Sequence, residues 1–225
     1  MIKRLGKTSL FCDIILLGEV MSKWGKEENE TLEVINEIGF LGDVLDVAAG
    51  DGRFLLELLN KSRSVTAIDI DKKELEMLKE NCAIEYSNKL KTEIVDITKR
   101  LPYQDETYDT IFCTGTLHLF DKSTIASIIR EMNRCLKQDG TMILDFATDI
   151  RRLDCNDNEV VFESEGSYGT DDAIALFHEL LNDCSLDIQK ATFKEDNLDE
   201  AGYNSIAGNF LIVTAGKVKR KINHF

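Results

Sequence analysis

Asp46, Gly50, Asp51 and Gly52 fall together in the stretch VLDVAAGDGRF (44–54), and that grouping has the makings of a ligand-holding turn. An apolar strand running into a glycine-rich turn and then a helix presents backbone N–H groups and a helix N-terminus to a ligand. Glycines at 50 and 52 remove the side chains that would hold the ligand away. A dinucleotide fingerprint reads GxGxxG and rests a pyrophosphate on the helix start. Here the spacing is AxGxG, and Asp51 inside the turn sets a carboxylate against any pyrophosphate. A cofactor without phosphate and with a cationic centre suits this turn better. A second chemical candidate is His118 in TGTLHLF (114–120). It is expected at the C-terminal end of a strand, where open α/β sheets bind their ligands. There it can orient an acceptor or take its proton; the competing reading is a histidine that satisfies local backbone groups.

The elements that must position these residues alternate along the chain. Glu30–Ile38 reads as a short amphipathic helix, Asp43–Ala48 as a strand and Phe54–Leu59 as an apolar helix after the turn. VTAIDI (65–70) is a second strand, and Asp71 with Glu74 forms a capping box for a helix carrying Leu75, Leu78 and Cys82. TEIVDI (92–97) is a third strand, and YDTIFCTGTLHLF (108–120) contains a fourth. Asp121 caps a helix with Ile125, Ile128, Ile129, Met132 and Leu136 on one face; Asp139-Gly140 is expected to stop it before a fifth strand, TMILDFA (141–147). Apolar strands separated by helices predict a parallel sheet covered on both faces. Asp172–Leu181 is then a helix, and Leu186–Phe193 and Asn209–Ala215 are strands joined without a crossover helix, so they should pair antiparallel.

At 225 residues the chain fits one domain, or a domain with a small lid. With 41 acidic and 27 basic residues its formal net charge is −14, which repels phosphate backbones and makes nucleic acid an unlikely partner. The only basic cluster, KVKRK (217–221), reads as a solvated tail. The six cysteines show no CxxC pair and no metal-ligand spacing, so no metal is expected and a reducing cytosol is the simplest compartment. The apolar run near the N-terminus is broken by Asp13, and no segment approaches the ~20 apolar residues of a membrane span. A cytoplasmic protein is expected.

VLDVAAGDGRF resembles the first motif of class I S-adenosylmethionine-dependent methyltransferases, and the resemblance continues in order through VTAIDID (65–71), EIVDITKRLPYQDETYDTIFCTGTLHLF (93–120) and REMNRCLKQDGTMILDF (130–146). It implies a Rossmann-like, doubly wound, seven-stranded, mostly parallel sheet with a reversed last strand, binding S-adenosyl-L-methionine. Carried over position by position, Asp46 would anchor the turn and the cofactor's amino end. Ala48 (where the family more often has Gly), Gly50 and Gly52 would line the cofactor. Asp69 would accept from both ribose hydroxyls and Ile70 would contact adenine or ribose. Asp96 would accept from the adenine amine, Ile97 would pack on its ring, and Thr114 and Gly115 would pass the methionine portion.

Methyl transfer is an in-line displacement on an already activated leaving group, so placing the nucleophile carries much of the work. His118 is the catalytic candidate, with Arg151 and Tyr168 to orient the acceptor; Arg152 beside Arg151 shares the possibility of meeting an anionic acceptor. The methyltransferase domain is expected over 30–225, with 1–29 as a helical lid segment and 151–171 as an acceptor-side insertion; Trp24 is a candidate cover for the cofactor. The Asn/Asp-Pro-Pro-aromatic motif of amino-methyltransferases on adenine or glutamine is missing, because the only proline is Pro102, and so is the Pro-Cys context of RNA cytosine-C5 enzymes. A small-molecule acceptor leads and a protein acceptor is second. An NAD(P)-binding oxidoreductase and a non-catalytic methyltransferase-like partner protein are the alternatives.

Overall fold

The computed structural model describes residues 29–162, 166–196, 198 and 202–217. Trp24 and the rest of the expected lid segment before residue 29 lie outside these, as does most of KVKRK. The elements run α1 (Asn29–Ile38), β1 (Gly42–Val47), α2 (Leu55–Lys61), β2 (Ser62–Asp69), α3 (Lys72–Asn81), β3 (Leu90–Ile94), β4 (Tyr108–Cys113), α4 (Lys122–Cys135), β5 (Leu136–Leu153), α5 (Thr170–Leu180), β6 (Cys184–Asp196) and β7 (Ser205–Lys217). Strand order is β3-β2-β1-β4-β5-β7-β6 in a single seven-stranded sheet. The first five strands pair in parallel, while β7 runs antiparallel to both β5 and β6. The expected mostly parallel sheet with a reversed last strand is therefore present.

Burial explains the layering. Ile125, Ile128, Ile129 and Met132 of α4, with Ala173 and Phe177 of α5, pack on one face of the sheet around Phe146. Val34 and Ile35 of α1, Leu55, Leu58 and Leu59 of α2, and Leu75 and Leu78 of α3 cover the other. Asp71 and Asp121 cap α3 and α4: Asp71 accepts from Lys73 N–H, and Asp121 from the N–H groups of Ser123 and Thr124. Among the described residues, no helix is long and apolar enough to cross a membrane.

Several boundaries differ from the sequence reading, and three of them bear on the site. Helix α4 ends at Cys135, before Asp139-Gly140, because fully buried Leu136 already pairs with Tyr108 of β4. Asp139, at φ 63°, instead sits at a register shift inside β5. Strand β3 stops at Ile94; Val95 N–H still donates to Asp69 O at 3.0 Å, and Asp96 then turns the chain by accepting from Thr98 N–H. Strand β5 continues to Leu153, since β7 matches it past a bulge between Thr148 and Arg151, pairing Arg151 with Ala207 and Arg152 with Ile206. The expected insertion at 151–171 thus begins as strand and ends inside α5, leaving 154–169 as the connection.

Candidate cofactor and acceptor site

Sheet order reverses between β1 and β4, and the crevice at their C-terminal ends is where a doubly wound sheet holds a ligand. The turn after β1 is built from left-handed residues: Ala48 at φ 58°, Gly50 at 58° and Gly52 at 86°. Gly52 has to be glycine for a packing reason as well, since a Cβ there would lie 3.0 Å from Leu78 Cγ and 3.1 Å from Leu55 Cβ. The turn is tied to the second strand at two points. Ala49 N–H donates to Ile68 O at 2.9 Å, and Gly50 N–H donates to Asp69 Oδ2 at 3.0 Å. The other carboxylate oxygen of Asp69 accepts from Asp71 N–H at 2.9 Å. An ionised carboxylate has about four acceptor positions, so about two remain for a ligand diol.

Negative charge dominates this crevice. Asp46 and Asp69 come from the ends of β1 and β2, and Asp145 from within β5, just past its last parallel pair with β4 at Leu144; each is at least 95 % buried (5 %, 2 % and 2 % exposed). Burial, with Asp69 as a like-charged neighbour, pushes the Asp46 carboxyl up to about 7. Cys113, at the end of β4, is buried among the same acids: burial first, then Asp145, Asp46 and Asp69, raise its thiol well above the usual range, which makes it inert. Asp145 also shapes the β4 loop, where Gly115, at φ 65°, donates its N–H to Asp145 Oδ1 at 2.6 Å. Asp51 is buried (1 % exposed) and is no solvated turn residue.

The predicted cofactor residues Asp46, Ala48, Gly50, Gly52, Asp69, Thr114 and Gly115 all gather at this crevice. Ile70 stands on the rim with 65 % of its surface exposed, and Asp96 is half-buried just beyond β3. The Asp96 carboxyl is held below its usual range, chiefly by the hydroxyl of Thr98 and then by Thr98 N–H. Ile97 is different: it is 8 % exposed and joins the core shared with α4, so its packing is structural first.

His118 lies in a short 3-10 turn, Leu117–Leu119, with its ring edge-on to Phe146 at 6.2 Å. Its Nδ1 is buried and meets no hydrogen-bond partner among the described residues. Burial, and then the positive charge of Arg152, lower its pKa to about 4, so the imidazole is neutral at neutral pH. Strand alternation puts Arg151 and Arg152 on opposite faces of β5. Arg151 is exposed, whereas Arg152 is the arginine whose charge reaches His118. The Arg152 guanidinium lies 4.9 Å from the centroid of the Phe162 ring and 5.6 Å from that of Tyr203. The Tyr168 hydroxyl donates to Phe120 O at 2.5 Å, and its ring packs edge-on against Phe146 at 5.0 Å. It braces the loop beside His118, and its hydroxyl is already engaged.

Sequence reasoning passed over two residues here. Asp145 is a lone carboxylate within the apolar run MILDFA, a signal open to reading. Arg53 follows the turn, and its Nη2 lies 3.4 Å from where a Cβ on Gly115 would stand, placing a cation across the crevice from β4. Only the fold shows that approach.

Comparison with known proteins agrees with this geometry. Residues 44–140 match the family model described as a methyltransferase domain. A comparison with curated proteins finds no match. Among solved structures, the chain is similar to a Bacillus halodurans C-125 protein assigned as a methyltransferase, at 15 % identity and a TM-score of 0.68, covering 85 % of this chain and 100 % of that one. It is similar to the YcgJ protein of Bacillus subtilis, at 16 % identity and a TM-score of 0.65, covering 86 % and 100 %. It is also similar to the N-methyltransferase NodS of Bradyrhizobium japonicum WM9, a complex with S-adenosyl-L-homocysteine, at 13 % identity and a TM-score of 0.59, covering 84 % and 85 %. The segment that carries the turn, Asp46 and Asp69 thus matches the methyltransferase-domain model, and the chain around it has the fold of the class I methyltransferases.

Proposed function

We propose that this protein is an S-adenosylmethionine-dependent methyltransferase acting on a small molecule in the cytoplasm. The observation that carries the reading is the set of buried carboxylates, Asp46, Asp69 and Asp145, around a left-handed turn of small residues. These acids disfavour a pyrophosphate and fit a ligand with an ammonium, a sulfonium and a ribose diol. The methyltransferase-domain match over 44–140 supports the same cofactor, as does the S-adenosyl-L-homocysteine held by a protein of similar fold. Unpaired thiols at Cys82, Cys113, Cys135, Cys155 and Cys184 support a reducing compartment.

When bound, this cofactor supplies a methyl group activated on a sulfonium sulfur. Asp69 accepts from the ribose hydroxyls with the oxygen positions that Gly50 and Asp71 leave open. Asp46 holds the amino end, Gly50, Gly52 and Gly115 allow close approach, and Ile70 with Asp96 flank the adenine. His118, neutral near pH 7, orients the acceptor as a hydrogen-bond partner; a pKa of about 4 disfavours its taking the proton. A small acceptor fits the closeness of the 166–168 segment: a Cβ on Gly166 would lie 2.9 Å from His118 O and 3.0 Å from Phe120 O.

Calorimetric titration with S-adenosylmethionine, S-adenosylhomocysteine and NADH tests the reading. Micromolar binding of the first two is expected, with none of NADH. Asp69→Ala should weaken binding at least tenfold, about 1.4 kcal/mol, and Asp69→Asn should weaken it less because it keeps an acceptor for Gly50 N–H. NADH binding in place of the other two would overturn the assignment.

A further inference from the structure

We propose that Asp145 is a positioning residue for the methionine end of the cofactor, acting through the Gly115 N–H to fix the β4 loop. The inference rests on the methyltransferase reading above and adds the residue that sets how tightly the amino-acid tail is held.

A carboxylate between Leu144 and Phe146, both fully buried, is costly inside a sheet unless hydrogen bonds hold it. One such bond comes from Gly115 N–H, at 2.6 Å to Oδ1. Strand β4 ends at Cys113, which pairs with Leu144, while β5 runs on beside β7 with Asp145 opposite Ile212. The chain leaving β4 therefore meets a side chain of β5 where a continuing strand would meet its backbone. Gly115 adopts a left-handed φ of 65° there, a conformation that suits glycine. Just beyond, Thr116 and Leu117 are buried, and Leu119 N–H donates to Thr116 O at 3.1 Å, which fixes the far end of the loop. The near end rests on Asp145.

Topology assigns this loop to one part of the cofactor. In the order β3-β2-β1-β4-β5, the residues proposed for adenosine, Asp69, Ile70 and Asp96, lie at or beyond the ends of β2 and β3. Asp46, proposed for the amino end, pairs with Phe112 of β4, two residues before Thr114. A loosened β4 loop should therefore release the amino-acid tail and leave the hold on adenosine untouched.

The test titrates the full chain calorimetrically with S-adenosylhomocysteine and with 5′-methylthioadenosine, which keeps the adenosine and the sulfur but lacks the amino-acid tail. Asp145→Leu, similar in size but without an acceptor, should weaken S-adenosylhomocysteine roughly tenfold or more and leave methylthioadenosine within about twofold. Asp145→Asn should stay within about threefold of the parent for both, because its amide oxygen accepts from Gly115 N–H. Gly115→Ala strains the same turn and leaves the carboxylate in place. It should weaken S-adenosylhomocysteine about fivefold and spare methylthioadenosine, and it carries the test should Asp145→Leu not fold. The proposal is overturned if folded Asp145→Leu or Gly115→Ala binds S-adenosylhomocysteine like the parent, or loses both ligands equally. It is also overturned if Asp145→Asn loses as much as Asp145→Leu, since charge and not the hydrogen bond would then be acting. Binding of S-adenosylhomocysteine but not methylthioadenosine by the unmodified chain would overturn it too, because adenosine would have no separate hold. Failure of the unmodified chain to bind S-adenosylhomocysteine is a different result and would sink the methyltransferase reading instead.

Discussion

Asp46 is where single-residue physics bears most directly on function. Its carboxyl is pushed up to about 7 by burial and then by Asp69. A group that binds its proton more tightly folded than unfolded adds stability at low pH and loses it as pH rises. With an unfolded value near 3.9, the Asp46 contribution should be fully present below about pH 4 and gone above about pH 7. Urea midpoints at pH 5 and pH 8, compared between the parent and Asp46→Asn, isolate it: the parent should lose more stability over this interval. A cation beside Asp46 favours its carboxylate, so S-adenosylmethionine affinity should rise with pH through 7 in the parent and flatten in Asp46→Asn. Equal pH profiles in the two proteins would remove Asp46 from the cofactor's amino end.

Among the elements, the connection from β3 to β4 carries Asp96 and depends on α4 for its shape. Arg134 near the end of α4 is the hub. It donates to Tyr103 O at 2.8 Å, to Leu101 O at 3.1 Å, to Asp105 Oδ1 at 2.8 Å and to Glu131 Oε2 at 2.7 Å. Glu131 in turn accepts from Leu101 N–H at 3.1 Å. With only 17 % of its side chain exposed, Arg134 cannot be removed without leaving carbonyls and Glu131 short of partners. Arg134→Ala should cost roughly 2 kcal/mol in urea unfolding, since charged hydrogen bonds of this kind contribute about 1.5–3 kcal/mol, and should loosen adenosine recognition through Asp96. Chemical denaturation and cofactor titration of the one variant check both effects. A stability loss with unchanged affinity would mean that the Asp96 loop keeps its shape without the hub.

At the scale of the whole molecule, two kinds of sheet are joined along β5. Strands β1 and β4 are central, parallel and almost wholly buried, while β6 is an edge strand with alternating half-exposed and exposed positions. Hydrogen exchange should therefore be slowest for Val44–Val47 and Thr110–Cys113 and fastest, among the strands, at Phe193–Asp196. Mass-resolved exchange of peptides spanning these segments reads the order. Comparable protection at the β6 tip would point to a covered edge.

Much of the crevice proposed to hold the cofactor was legible in the sequence because its chemistry is local. Asp46, Gly50 and Gly52 lie on one turn, Asp69 ends the next strand, and alternation of apolar strands with helices dictates that both reach the same end of a parallel sheet. The reversed last strand was legible for the same kind of reason, since a connection without a helix cannot make a parallel crossover. The strand ends were not. How far β5 runs depends on β7, some sixty residues later, offering a partner, and no local propensity encodes that. The surroundings of His118 depend on such long-range pairings throughout. Arg151 and Arg152 are adjacent and identical in type, and only the β5–β7 register decides which of them meets Phe162, Tyr203 and the field at His118. Tyr168 likewise reads as a free hydroxyl in the sequence and becomes a brace once Phe120 O is brought to it across the fold. Local order along the chain determined which residues gather at the strand ends where the cofactor is proposed to bind, whereas contacts between distant segments, set by tertiary packing, decided which side chains stand around His118.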